Sequence, residues 1–208
     1  MDDEHAAAAS AMRRSVELAE ADDDQVGAAI SRSVELWARY FHDPCEARLE
    51  EMFDEGLRSL ELFRERQNSD PRAFRWVMNA LAHLVNTAFI LGDAARMHEH
   101  LRDLRANPWL REFGFETMLL QYEARYAMYE GRFEDAVREW EHFFSRQPVG
   151  HPDEAGAWKT LDHGVALAGC GRTDEAASVF HRGLSFSEKG ANNAFWQARI
   201  REELAKLG

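Results

Sequence analysis

Two cysteines, five prolines and the absence of a long apolar run restrict what this 208-residue chain can be. Cys45 and Cys170 lie far apart and form no metal-type pair, which indicates reduced thiols. The acidic start MDDEHAAAAS lacks the basic and apolar regions of a signal peptide. No run approaches the roughly 18 apolar residues of a spanning helix. These absences predict a cytoplasmic protein.

Positive charge is also scarce. The chain has 25 Lys and Arg against 37 Asp and Glu, a formal net charge of −12. Such a surface repels phosphate backbones and anionic lipids, so we expect neither a nucleic-acid nor a membrane partner. The same charge attracts basic partners, although it also serves plain solubility.

Alternating apolar and polar runs rich in Val, Ile and Thr are missing, so no segment predicts a strand. Helical spacing appears instead, most clearly in the apolar series Phe133, Ala136, Val137, Trp140, Phe143 and Phe144. The sequence therefore predicts an all-α protein of about ten helices.

The prolines mark helix starts. Asp43-Pro44, Asp70-Pro71 and Asn107-Pro108 each place proline after a good N-cap residue, where its missing N–H leaves nothing unpaired. In the N-terminal third, RSVEL occurs twice, at residues 14–18 and 32–36, with a run of aspartates between the copies. We predict a break at residues 21–24 in which an aspartate caps the second helix, rather than a magnesium–diphosphate motif.

Catalytic motifs are absent: there is no P-loop, dinucleotide glycine fingerprint, nucleophile elbow or HExxH. His98 and His100 are two residues apart on a predicted helix and point away from each other, so they do not share a metal. The pair His42-Asp43 is better explained by Asp43 as the helix cap before Pro44 than as a catalytic motif. The nine histidines are expected to be exposed. We predict no catalytic residue, metal or cofactor.

The segments YEGRFEDAVREW and CGRTDEAASVF repeat one pattern. Counted from Gly131 and Gly171, an alanine stands five residues on and a large aromatic nine residues on, as Ala136 with Trp140 and Ala176 with Phe180. A third copy turns at Gly92, where Met97 replaces the small alanine.

These positions resemble the tetratricopeptide repeat, a helix–turn–helix unit of about 34 residues. The turn glycines here are 39 and 40 residues apart. The resemblance implies an α-solenoid of antiparallel hairpins, with an N-terminal helical extension over 1–70, repeats over 71–208 and a closing C-terminal capping helix. We expect these parts to form one continuous domain.

The resemblance also implies a concave face, built from the first helix of each repeat, that holds an extended peptide or a helix. Asparagine amides can pair with a peptide backbone, arginine with a carboxylate, and aromatic rings can pack on apolar side chains. The same side chains could equally pack against a neighbouring helix. By position, the groove candidates are Asn79, His83, Asn86, Met118, Gln121, Tyr122, Arg125, Tyr129, Trp158, Leu161 and Asp162.

The function implied is a non-catalytic adaptor or chaperone-like scaffold for a protein segment. The two-carboxylate clamp of this family is not expected, because only Asn86 matches it. The architecture is similar to secretion chaperones whose N-terminal helices mediate dimerisation, which implies a homodimer through the N-terminal helices. The alternatives are a peptide- or metabolite-sensing regulator and an all-helical enzyme with an unrecognised site.

Overall fold

The computed structural model describes residues 2–42, 46–108, 110, 116–146, 157–187 and 194–208. Within these ranges the chain forms ten α-helices and no strand, which confirms the predicted all-α class. None of these helices is long and apolar enough to cross a bilayer. The helices are α1 (Asp2–Ala21), α2 (Gln25–His42), α3 (Glu46–Arg66), α4 (Pro71–Leu91), α5 (Ala94–Ala106), α6 (Glu116–Tyr129), α7 (Phe133–Ser145), α8 (Ala157–Gly169), α9 (Thr173–Ser187) and α10 (Ala194–Leu207).

Backbone contacts divide the chain into two compact units, Met1–Leu110 and Arg111–Gly208. In the N-terminal unit, α1 to α5 each pack on the next helix in sequence. In the C-terminal unit, α6 to α10 do the same, and α10 also contacts α8. The predicted division at residue 70 marks where the repeat pattern begins. That division and the single continuous domain stay predictions.

Three glycine turns share one backbone geometry. Gly92, Gly131 and Gly171 have φ of 72°, 73° and 75°, a left-handed conformation that glycine adopts without steric cost. In each turn the glycine N–H donates to the carbonyl three residues back, and the next N–H donates to the carbonyl five residues back. The pairs are Gly92–Phe89, Asp93–Ala88, Gly131–Met128, Arg132–Ala127, Gly171–Ala168 and Arg172–Leu167, all between 2.9 and 3.1 Å.

A fourth turn of the same kind joins α1 to α2, with Asp23 where the others have glycine. Its φ is 56°, and its N–H donates to the Glu20 carbonyl at 3.2 Å. The Asp24 N–H donates to the Ala19 carbonyl at 2.7 Å. Asp24 also accepts the Gly27 N–H through its carboxylate at 3.0 Å, which confirms the predicted aspartate cap. The sequence did not predict that this turn has the same geometry as the other three, because it has aspartate where they have glycine.

Equivalent positions after the three glycine turns are equally buried. The side chain five residues on and the one nine residues on have relative exposures of 0% in every case, namely Met97, Ala136, Ala176, Leu101, Trp140 and Phe180. Met97, which replaces the small alanine in the Gly92 copy, thus occupies the same kind of position as the two alanines.

Helices α8 and α9 approach more closely than an alanine would allow. A Cβ built on Gly164 would lie 2.2 Å from the Phe180 ring, and one built on Gly183 would lie 2.3 Å from Thr160 Oγ1. Real Cβ atoms do not come this near other heavy atoms. Glycine is therefore required at both positions by packing rather than by backbone conformation.

The Asp70–Pro71 start of α4 is also confirmed. Asp70 accepts the Arg72 N–H at 2.8 Å, and Pro71 occupies the first turn. The Arg72 guanidinium then donates to Asp24 at 2.7 and 2.8 Å, so it joins the first turn of α2 to that of α4. The Arg72 guanidinium also donates to Asp70, at 3.2 and 2.7 Å, and its hydrogen bonds lower the pKa of both Asp24 and Asp70. Of the other predicted starts, Asp43-Pro44 lies outside the described residues, and Asn107 forms the C-cap of α5.

We predict that Gly164→Ala lowers the free energy of unfolding by about 1–3 kcal/mol, because the new methyl group overlaps the Phe180 ring. Phe180→Leu in the same chain makes room for that methyl group. The combined variant should therefore lose less than the sum of the two single losses, by about 1 kcal/mol in a double-mutant cycle measured by urea unfolding. If the losses of unfolding free energy in the two single variants simply added in the double variant, the close approach of α8 and α9 would be contradicted.

Candidate functional site

The predicted residues of the N-terminal unit lie on one face of α4. Asn79, His83 and Asn86 follow a spacing of four and three residues, and all three are half-buried. The His83 ring packs edge-on against Trp37, with centroids 5.1 Å apart, and against Trp76 at 6.5 Å. Burial lowers the pKa of His83 to about 4. His83 is therefore a neutral packing residue, and of the three predicted residues the two asparagines supply the polar groups available for contact.

In the C-terminal unit the structure joins two predicted residues directly. Arg125 on α6 donates from Nε to Asp162 Oδ2 on α8 at 2.7 Å, and the two side chains are only 2% and 10% exposed. Burial raises the pKa of Asp162, while the neighbouring Arg125 charge and hydrogen bond oppose that rise. The pair therefore links α6 to α8 in the interior of the unit.

Gln121 and Tyr122 lie beside this ion pair and are each 7% exposed. Burial raises the pKa of Tyr122 to about 12, against the opposing effects of the Arg125 charge and a hydrogen bond from Gln121. Gln121 Oε1 is buried and has no hydrogen-bond partner among the described residues. We call Gln121, Tyr122, Arg125 and Asp162 the α6–α8 polar cluster.

The remaining predicted residues are more accessible or fall outside the description. Tyr129, at the end of α6, is 44% exposed, and Met118 near its start is half-buried. Leu161 is buried. Trp158 belongs to the first turn of α8, but its side chain is outside the described part of the structure. Of the predicted residues on α6, those near the two ends of the helix are therefore accessible, whereas those in the middle belong to the buried polar cluster.

Three histidines expected on exposed faces are instead buried or half-buried. His100 is 6% exposed and His163 is 7% exposed, and His83 is half-buried. His98, by contrast, is exposed, so His98 and His100 do point apart as their spacing requires. For His163, the sequence signal for burial was its position, eight residues before Gly171 and on the apolar face of α8.

His163 is the most isolated of these groups. Its ring lies 5.3 Å from the Phe144 ring, and neither ring nitrogen has a hydrogen-bond partner among the residues described. Burial lowers its pKa to about 4, with further lowering from Arg182 and Arg172 and an opposing effect of Glu175. The imidazole is neutral near neutral pH and acts as a packing group between α7, α8 and α9.

Metal-type side chains do not converge in the described ranges, where no group of three His, Cys, Asp or Glu residues could hold an ion. Cys170 is a free thiol in the turn before α9, and burial raises its pKa, which disfavours the reactive thiolate. The arrangement as a whole offers hydrogen-bonding and packing surfaces and a buried ion pair.

No protein-family model matches the chain, and no curated protein matches it.

We predict that Asp162→Ala lowers the free energy of unfolding by about 3–5 kcal/mol, because it leaves the Arg125 charge buried without its carboxylate. Replacing both partners by apolar side chains, as Arg125→Met with Asp162→Leu, should recover most of that loss. Urea unfolding followed by circular dichroism measures both. A double variant as unstable as the single one would contradict a buried pair.

We predict a loss of stability in acid that depends on His163. The folded state holds its pKa at about 4, below the 6.5 of an unfolded histidine, so only the unfolded state takes up the proton as the pH falls from 6.5 towards 4. That difference corresponds to about 3 kcal/mol. His163→Leu should reduce the acid sensitivity by this amount, while His181→Leu, at an exposed position of α9, should leave it unchanged. Unfolding curves at pH 7, 5 and 4 test this.

Proposed function

We propose that this chain is a divergent α-solenoid of the tetratricopeptide type, in which antiparallel helix pairs repeat. The observation that carries the proposal is the shared turn: four helix pairs are joined by the same hydrogen bonds around one left-handed residue. The equal burial at the fifth and ninth positions after each glycine supports it further. A repeated turn with repeated buried positions is typical of stacked units that each bury the next.

The last helix, α10, has the properties of a capping helix in this proposal. It packs on α9 and α8. Trp196 and Ile200 are buried, at 8% and 0% exposure, while Arg199, Arg201 and Glu202 are exposed. A terminal helix that buries apolar side chains on one face and exposes polar side chains on the other ends a repeat array without leaving an apolar surface exposed.

For function, we propose a non-catalytic adaptor or chaperone-like scaffold that binds a protein segment on its first helices, without a cofactor and in the cytoplasm. The net charge of −12 favours a segment rich in lysine and arginine. The homodimer through the N-terminal helices that the family resemblance implies also stays a prediction.

Within this proposal the predicted groove residues divide into two roles. Asn79 and Asn86 in the N-terminal unit, and Met118 and Tyr129 in the C-terminal unit, keep accessible atoms, so each unit by itself offers candidates for contact with a segment. Trp158 remains a candidate in the C-terminal unit. The α6–α8 polar cluster instead holds two first helices in register, because a buried ion pair specifies one relative placement of the helices that carry it.

A regulator that senses a small metabolite is the second candidate. The buried Gln121 carbonyl, which has no hydrogen-bond partner among the described residues, favours it, because a polar ligand could satisfy such a group. A thermal-shift screen separates the candidates, since a ligand at a hundred times its dissociation constant adds about 2.7 kcal/mol of apparent stability.

We predict that peptides selected from a displayed random library bind the adaptor with an excess of Lys and Arg and bind more weakly as salt increases. Asn79→Ala with Asn86→Ala should weaken binding by about tenfold, through lost amide hydrogen bonds. The matched control, Glu99→Ala with Arg102→Ala, changes two exposed residues of α5 and should not weaken it. Tyr129→Ala, with His142→Ala on α7 as its control, tests the C-terminal unit in the same way.

Isothermal titration with the selected peptides gives the affinities, and circular dichroism checks that each variant folds. Peptides that bind folded groove variants and wild type equally well would move the binding surface elsewhere. If the library yields no peptide while the thermal-shift screen yields a small ligand, the sensor replaces the adaptor.

A further inference from the structure

One face of α4 carries no charged residue, although the chain is rich in them. Residues 76–91 contain no Asp, Glu, Lys or Arg, whereas 30% of the whole chain is charged. The charged residues of α4, Arg72 and Arg75, both precede this stretch. Positions three and four apart in it form a strip of half-buried side chains along one face, namely Trp76, Asn79, His83, Asn86 and Ile90. Because His83 is neutral, the strip offers aromatic, apolar and amide groups without a charge.

Two tryptophans lie on either side of His83 in this strip. Trp37, which α2 contributes, meets the His83 ring edge-on with centroids 5.1 Å apart, and Trp76 meets it at 6.5 Å. Trp76 also packs at 6.3 Å on the ring of Phe63, a fully buried residue of α3. Both tryptophans are half-buried, so each keeps part of its surface accessible. We call Trp37 together with the strip the α2–α4 face.

Contacts at two levels hold the α2–α4 face together. At the starts of the two helices, the Arg72 guanidinium donates to Asp24, just before α2, at 2.7 and 2.8 Å. Further along, the contact between Trp37 and His83 joins the same two helices. A surface that is already in place before binding loses little conformational entropy when a ligand docks on it. The face is therefore preorganised.

The two asparagines of the face select the backbone conformation of an occupant. Asn79 and Asn86 are seven residues apart, which corresponds to about 10.5 Å along an α-helix. Their amides pair with backbone groups that the ligand itself leaves unpaired, and a helical ligand pairs these groups internally. In an extended strand, the backbone groups on one edge recur about every 6.7 Å, so neither about 6.7 nor about 13.4 Å matches the spacing.

A polyproline II segment fits the spacing better. One turn of this conformation takes three residues and rises about 9.3 Å, and none of its backbone groups is bonded internally. The rotatable asparagine side chains can take up the remaining difference of about 1 Å. Proline-rich segments in this conformation dock on grooves lined by aromatic residues, and they are ordered before they bind. The absence of charge on the face is complementary to proline, which brings no charge of its own.

We propose that the α2–α4 face binds a proline-rich segment in the polyproline II conformation, with its proline rings against Trp37 and Trp76. Backbone carbonyls of the segment accept hydrogen bonds from the side-chain amides of Asn79 and Asn86. This proposal rests on the adaptor function and names the kind of segment that it binds. The net charge of −12 favours lysine or arginine on either side of the prolines rather than among them.

Isothermal titration with a polyproline peptide tests the proposal directly. A peptide of about ten prolines should bind at least about tenfold more tightly than a Gly-Ser peptide of the same length, which is flexible and has no rings. Trp37→Leu should weaken polyproline binding by about tenfold. The control Phe144→Leu, which changes a half-buried ring of the C-terminal unit, should leave the affinity within about twofold of the wild type. Circular dichroism checks that each variant folds.

A second variant separates this proposal from a simple attraction of basic peptides. Asn79→Asp with Asn86→Asp keeps the shape of both side chains but replaces their amide donors by acceptors. Polyproline should bind this variant at least about tenfold more weakly, because its carbonyls lose their donors. A lysine-rich peptide without proline should bind it no more weakly than it binds the wild type, because two negative charges have been added.

Three results would overturn the proposal. The first is polyproline that binds the wild type no better than the Gly-Ser peptide does. The second is polyproline binding that is unchanged in both folded variants. The third is a helical alanine-rich peptide that depends on Trp37 and binds more tightly than polyproline, which would make a helix the occupant. If lysine-rich peptides bind while polyproline does not, the adaptor stands without its proline-rich segment. If neither kind of peptide binds, the adaptor function is contradicted as well.

Discussion

The two-residue turn around one left-handed residue is the constraint on which the rest of this structure depends. With two N–H donors satisfying the last carbonyls of one helix, the next helix must begin at once and pack on the first. Because the two helices are so close, the space between them limits which side chains fit there. The position five residues on is fully buried after each glycine turn, and near Gly164 and Gly183 the helices leave no space even for a methyl group.

The interior of the C-terminal unit contains a charged pair with the polar side chains of Gln121 and Tyr122 beside it. Burying Arg125 and Asp162 is costly unless each finds the other, so the pair penalises any placement of α6 and α8 that separates them. This gives the cluster a supporting role for the proposed binding face. In the proposed function, contacts to a partner are assigned to accessible side chains of each unit separately, namely the asparagines of α4 in the N-terminal unit and the ends of α6 in the C-terminal unit.

Local features were predictable from sequence because their causes are local. The helices follow from apolar spacing, the glycine turns from the repeated pattern, and the Asp24 and Asp70 caps from residues beside the helix starts. The burial of His163 and the pairing of Arg125 with Asp162 were not predictable, because each depends on which helices come together. The geometry of the turn at Asp23 was not predicted for a different reason: aspartate adopts there a left-handed conformation that glycine usually adopts.

The sequence by itself determined the all-α class, the positions of the turns and the acidic surface, since hydrogen bonding along the backbone and side-chain charge are properties of short segments. Only the tertiary structure decided which polar residues are buried. From the sequence, Arg125 could line a groove or pack against a neighbouring helix, and α8 decides between these by contributing the carboxylate that pairs with it in the interior. A side chain's accessibility depends on the neighbouring helices that cover it, and those neighbours are distant in sequence.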